Sequence, residues 1–415
     1  MRSYANYFRQ AEDSMTSLSE GRVRPVNPHW LAIVLSSLMA FAPLAIDMYL
    51  PALPEIGRGL NATPATVQLS LASFFLGFGS GQLVWGPLGD RFGRRSPIVI
   101  GIVIYIAASF GCALTNDADH LVLWRFVQAF GACAAPVLAR AMVRDLFPQD
   151  QAARMLSLMM LIMGIAPMVA PLIGGQILVL LDWRAIFWGL AAFGLVVLLA
   201  LFSIPESLPS AQRRRVGIGA MVMGYLRLLG NRSYMAYTLA GAFFTGGMFT
   251  YIAATPFVYI EYFGISPQIY GFLFGMNVIG MMAFNIVNRR LVTLIGSDRA
   301  LLYGSIGCAV FGVALAVLGG TGSFGLLGIV VPLFLYLSMM GLVGANSMAG
   351  SMSVIPGMAG AASGLAGTVQ FALGALASAL VGWLSDGTPA PMALVIGGMG
   401  ICCALSALAL PTRRT

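Results

Sequence analysis

The sequence predicts an all-α polytopic membrane protein of twelve transmembrane helices in two pseudo-symmetric six-helix halves. Three observations predict it. Of 415 residues, 59% are hydrophobic and only 9% charged, whereas ordinary soluble domains carry about 25% charged residues. Apolar segments long enough for a ~30 Å hydrocarbon core, about 20 residues each, recur along the whole chain. The arginines concentrate on alternate loops, as they do on the cytoplasmic side of membrane proteins.

Residues 1–29 form a polar tail with Arg2, Arg9, Arg22 and Arg24 among Glu12, Asp13 and Glu20. No short apolar core with a cleavage site precedes Trp30, so no signal peptide is expected. Apolar segments at 30–50, 66–88, 96–115, 121–142, 155–180 and 185–204 make an N-terminal bundle, 30–204. A polar central loop, 205–233, separates it from segments at 234–258, 268–288, 300–318, 324–347, 361–384 and 391–410. These make a C-terminal bundle, 234–410, followed by a short tail, 411–415.

Arginines cluster in the tail, at Arg91, Arg94 and Arg95, at Arg140, Arg144 and Arg154, at Arg213, Arg214, Arg215, Arg227 and Arg232, at Arg289, Arg290 and Arg299, and at Arg413 and Arg414. Only Arg58 and Arg184 fall at the opposite ends of spans, so both termini are expected to be cytoplasmic. The halves repeat. Gly/Pro-rich span 5, Met163–Gly175, has a counterpart in span 11, Pro356–Gly367, and the basic 2–3 loop has one in the basic 8–9 loop. Repeats of this kind build secondary transporters, with the site at the junction of the halves near mid-membrane.

The absences narrow the function. There is no lysine, which excludes a Walker A loop and Schiff-base chemistry. His29 and His120 flank spans without a metal-ligand pattern. Cys112, Cys133, Cys308, Cys402 and Cys403 sit in apolar segments and read as small buried hydrophobes. No nucleophile–base pair or cofactor loop is visible, so neither an enzyme nor a bound cofactor is expected. The net charge of +8 follows from the arginine-rich loops rather than from nucleic-acid binding.

One span carries an anomaly. Asp47 lies in Trp30–Pro54, the only carboxylate well inside a span. A charge at the bilayer centre costs at least ~2.5–3.5 kcal/mol, which marks a functional site. At 1.5 Å per residue Asp47 lies ~25 Å along span 1, and Arg125 ~7 Å into span 4 from the opposite face. The two reach similar depth. Burial opposes the carboxylate's charge and a guanidinium would favour it. That opposition suits a proton site with Arg125 as partner, or a static pair; Gln128 is an alternative partner.

The loop after span 2 reads Gly86-Pro87-Leu88-Gly89-Asp90-Arg91-Phe92-Gly93-Arg94-Arg95, with Gly77 nine residues before Gly86. It resembles the signature loop of the major facilitator superfamily. Arg125–Gly131 in span 4 and Met163–Gly175 in span 5, with Gly164, Pro167, Pro171, Gly174 and Gly175, are similar to motifs of the drug/H⁺ antiporter branch. Ala170 stands where that branch has glycine; the proline-kinked, small-faced helix remains. Ile46–Pro54, Ala139–Asp145 and Gly364–Gln370 running to Pro389 resemble Bcr/CflA-type (bicyclomycin-resistance-like) efflux proteins in particular.

The resemblance covers the chain from about Trp30 to span 12. It implies a cytoplasmic latch around Asp90 that takes in Arg144 and Asp145. It also implies export of amphipathic drugs, bicyclomycin- or chloramphenicol-like antimicrobials, in exchange for protons across a bacterial inner membrane by a monomer surrounded by lipid. Met39, Tyr49, Met159, Met163, Asn277 and Gln370 are the substrate-contact candidates, because Met-rich surfaces adapt to varied ligands and polar groups in spans face the interior. The rival expectation keeps the fold and makes the protein a proton-coupled importer or exporter of a small metabolite.

Overall fold

The computed structural model describes residues 28–213 and 218–410. The expected polar tail before residue 28, and the end from 411, lie outside the described residues. Every described regular element is helical.

Twelve helices are long and apolar enough to cross a membrane: His29–Gly59, Pro64–Phe92, Arg95–Leu114, Ala118–Leu146, Arg154–Leu180, Trp183–Leu201, Arg232–Tyr262, Pro267–Ile295, Ser297–Thr321, Gly325–Ser353, Ala359–Trp383 and Ala390–Leu408. They are spans 1–12 below. Their starts are written in local chemistry. Thr63, Asp182, Asn231 and Ser266 each accept a bond from the backbone N–H three residues on, satisfying a donor the helix leaves free. Gly93, at φ 95°, ends span 2 in a conformation that favours glycine.

Span 1 is broken twice, into 3₁₀ turns at Leu38–Ala40 and Leu50–Ala52. Proline explains both breaks. Pro43 cannot donate to the Met39 carbonyl, nor Pro51 to that of Asp47. The helix therefore loosens immediately after its buried carboxylate, Asp47.

Within the N-terminal half, spans 2 and 3 lean on span 4 through missing side chains. A Cβ at Gly77 would overlap the Phe126 carbonyl, and one at Gly101 would overlap Ala134. Between the halves, span 2 packs on span 11 and span 5 on span 8. Exchanging the halves turns one contact into the other, as a two-fold axis along the membrane normal requires. Outward-facing leucines and valines such as Leu123, Leu180, Val196, Leu294 and Leu394 remain exposed around the bundle, where a bilayer would cover them.

One element departs from expectation. The central loop contains an amphipathic helix, Ile218–Leu229. Its Leu228 is buried with Tyr234 at the start of span 7 and Ala362 and Leu365 at the start of span 11. Burial of an apolar stripe, not chain propensity, makes so short a helix stable.

Gly77→Val should lower the melting temperature of the detergent-purified protein, because its branched side chain meets backbone that cannot yield. Overpacking of this kind costs about 1–3 kcal/mol; an unchanged melting curve would contradict the close approach of spans 2 and 4.

Candidate functional site

Asp47 ends the helical stretch Phe41–Asp47 and is 4% exposed. No ion pair joins it to Arg125. This corrects the expected pairing, and helix geometry supplies the reason. Tyr49 lies two residues on, about 200° around the helix at 100° per residue. The Tyr49 ring packs against Arg125, so Asp47 faces the other way. There it lies within electrostatic range of Tyr251 and Tyr270, in spans 7 and 8 of the opposite half.

Arg125 is fully buried, yet carbon rings surround it. Its guanidinium carbon stands 4.4 Å from the centre of the Tyr49 ring and 4.3 Å from that of Phe74. A desolvated cation–π contact contributes about 2 kcal/mol. One nitrogen, Nη1, donates to Gln128 Oε1 at 2.6 Å, and Gln128 Nε2 donates to Ser109 Oγ at 2.8 Å. Nε and Nη2 have no partner. Tyr49 in turn shares a 2.8 Å bond with Ser70. Gln128, expected as an alternative partner of Asp47, bonds Arg125 and Ser109 instead, in a chain that stays inside the N-terminal half.

Across the junction, Asn277 Nδ2 donates to Tyr251 Oη at 2.9 Å, while Asn277 Oδ1 has no partner. Tyr270 Oη lies 3.4 Å from Thr255 Oγ1. Two phenols of the opposite half thus lie within electrostatic range of Asp47, and one of them, Tyr251, holds a carboxamide with an acceptor to spare. Tyr270 was not among the sequence candidates. An aromatic hydroxyl four residues into span 8 carries no local signal until the packing of span 1 is known.

The span 5 motif holds this arrangement. Pro167 and Pro171 lie inside the helix. A Cβ at Gly174 would overlap the Met48 carbonyl next to Asp47, and one at Gly175 would stand 3.1 Å from the Pro267 carbonyl of span 8. Gly164 lies farther in, with Met282 of span 8 in ordinary contact range at 3.4 Å. Span 5 therefore touches span 1 with one glycine and the other half with the next.

The remaining substrate candidates are dispersed. Met39, Tyr49 and Met159 are fully covered, and Tyr49 belongs to the Arg125 packing, which corrects its assignment to a substrate surface. Met163 is half-buried, and Gln370 is half-buried against Gly241 of span 7.

At the arginine-rich end a second polar cluster forms. Arg94 donates to Asp90 Oδ1 at 2.6 Å through Nη1 and to Asp145 Oδ2 at 2.8 Å through Nε. Ser207 also donates to Asp145, at 3.3 Å. Glu206 accepts from the backbone N–H groups of Arg94, at 2.7 Å, and Arg95, at 3.1 Å. Gly93 is required here, because a Cβ would stand 2.6 Å from Glu206 Oε2. Burial opposes the charge on Arg94, but the bonds to Asp145 and Asp90 outweigh it and hold its pKa above the ordinary value.

Expectation and structure agree on Asp90, Arg94 and Asp145 as neighbours. Arg91 is exposed over the Phe92 ring, and Arg95 donates to the Phe202 carbonyl. Gly86 has no neighbour within 4 Å of where a Cβ would stand. Arg144 is exposed and outside the cluster; one residue before Asp145, it points about 100° away. Glu206 and Ser207 were unforeseen, since they come from the far end of span 6.

Two six-span halves exchanging their contacts around a buried carboxylate define a secondary transporter rather than an enzyme. Residues 35–379 match the Major Facilitator Superfamily model, and the chain belongs to that superfamily, in its Bcr/CflA-like drug-efflux family. The bicyclomycin resistance protein homolog of Haemophilus influenzae is 33% identical over 91% of this chain and 94% of its own. Multidrug resistance protein D of Escherichia coli is 27% identical over 94% and 98%. The uncharacterized MFS-type transporter YdgK of Bacillus subtilis is 38% identical over 88% and 91%. The partially occluded, inward-open xylose transporter XylE of E. coli shares the fold alone, with TM-score 0.70 and 15% identity over 91% of this chain and 96% of that one.

Arg94→Ala strands two carboxylates and should cost about 2–3 kcal/mol in unfolding, from lost hydrogen bonds to charged groups. Arg91→Ala should change stability by no more than about 0.5 kcal/mol, as at an exposed site. Equal melting temperatures for the two variants would refute the cluster's structural weight.

Proposed function

We propose that this transporter exports amphipathic antimicrobials from the bacterial cytoplasm in exchange for protons, with Asp47 as the proton site. The observation that carries the reading is the placement of Asp47. It is a buried carboxylate without an ion-pair partner, at the junction of two halves whose relative motion would change what it faces. Relatives named for resistance to bicyclomycin and to multiple drugs support the substrate class. The arginine-rich loops support cytoplasmic termini in the inner membrane.

Coupling follows from exclusion. A charged Asp47 holds a cation or a strong donor, and a protonated one has lost the charge that does so. Proton and substrate then lower each other's affinity by the same factor, as linkage demands. When the halves reorient, the site trades one for the other. Asn277, with its spare acceptor beside Tyr251, is placed to accept a donor from the substrate. Arg125 sits among the rings of its own half, where it orients Tyr49 and thereby Asp47.

Two experiments test the reading. In proteoliposomes with an imposed pH gradient, drug should move against the proton flow; movement with it would favour the metabolite-importer alternative. Asp47→Asn should abolish proton-driven transport, by about a hundredfold or more, while the protein inserts and folds normally. A pH gradient that still drives transport in Asp47→Asn would remove Asp47 from the mechanism. Tyr49→Phe keeps the ring over Arg125 and should retain most activity, whereas Tyr49→Ala should lose it.

A further inference from the structure

At the end of the bundle opposite the arginine-rich loops, the halves enclose a cavity of about 510 Å³. That volume lies within the range of drug-sized pockets, about 300–1,000 Å³. Its walls come from both halves: the start of span 2 on one side, the ends of spans 7 and 11 and the start of span 12 on the other. Among the described residues, no arginine lines it.

Two of its groups are chemically incomplete. Gln68, on span 2, is 2% exposed, and its Oε1 accepts no hydrogen bond. A buried acceptor left unmade is costly, which makes it a place where a donor is welcome. Glu261, exposed in the π-helical turn Phe257–Tyr262 that closes span 7, lines the same cavity and, among the described residues, takes part in no ion pair. Phe257, Val258 and Val381 provide an apolar surface between them. The set consists of one carboxylate, one unpartnered carbonyl oxygen and hydrocarbon.

We propose that this vestibule binds a small amphipathic organic cation carrying N–H donors, an aryl amidinium or arylalkyl ammonium, from the face opposite the arginine-rich loops. The cation meets Glu261, an N–H fills the vacant bond of Gln68, and the ring lies on the apolar wall. An anion would meet only the carboxylate's repulsion. Because the walls belong to different halves, the ligand favours the arrangement in which they are together at this end. Gln68 itself forms part of that closure: a Cβ on Gly382 of span 11 would stand 3.1 Å from its Oε1. An occupied vestibule therefore holds the halves closed here and slows the cycle. The site is separate from Asp47; only the side of approach rests on the orientation given under the proposed function.

Equilibrium binding of benzamidine to the purified protein in lipid nanodiscs, by calorimetry, tests this without any transport step. The wild type should bind saturably. Glu261→Gln and Gln68→Leu should each weaken binding about tenfold, the loss of one charged or buried hydrogen bond, while Asp47→Asn should bind as the wild type does. Undiminished affinity in Glu261→Gln, or no saturable binding by the wild type, overturns the proposal. So does binding lost in Asp47→Asn but kept in Glu261→Gln, which would put the cation at the junction carboxylate. Failure of proton coupling in Asp47→Asn transport assays would bear on the export reading and leave this outcome untouched.

Discussion

The ring of Tyr49 lies over the buried guanidinium of Arg125, and the direction of Asp47 follows from that contact. A cation in a membrane interior must be answered by something, and the simplest answer is a carboxylate from the next helix. This protein answers with two aromatic faces and a glutamine. The positive charge is thereby settled within one half, and the negative charge two residues away is left for the other. A direct Asp47–Arg125 pair would bind spans 1 and 4 more tightly. It would also take the carboxylate out of contact with anything that moves.

The two bundles are alike in topology and unlike in how their arginine-rich ends are held. The N-terminal half uses charge, with Arg94 between Asp90 and Asp145 and Glu206 reaching back from the end of span 6. The C-terminal half joins spans 8 and 10 by neutral amides, Asn346 to Asn288 at 2.8 Å, and ties span 7 to span 9 by Tyr237 to Asp298 at 2.6 Å. Both solutions satisfy groups that lie partly out of water. The charged version is sensitive to ionic strength and the amide version is not, so salt acts on the two halves unequally.

The fold was legible in the sequence because a bilayer imposes length, apolarity and charge asymmetry on every span, and all three survive as composition. Asp47 was legible for the same reason, as the residue that violates the rule. Its partner was not. Equal depth in the membrane fixes one coordinate of a side chain and says nothing about which way around the helix it points. The signature loop announced Asp90 and Arg94, but their companions Glu206 and Ser207 lie over a hundred positions away in sequence, beyond any local pattern. The helix at Ile218–Leu229 was hidden by its surroundings, since Arg213, Arg214 and Arg215 before it and Arg232 after it make the region read as a solvated loop.

The surfaces between the halves bring glycine backbone against side chains, as at Gly79 with Phe371 and Gly275 with Met168, and ring against ring, as at Phe75 with Phe249. Across them the Thr368 hydroxyl donates to the Gly79 carbonyl, at 3.0 Å. Such a surface behaves as a bearing. Smooth, weakly bonded faces give a sliding motion no deep intermediate wells, because no register of polar groups has to be broken and remade. Friction in the membrane then comes mostly from the lipid, and the thickness and fluidity of the bilayer become governors of turnover as much as any residue in the protein.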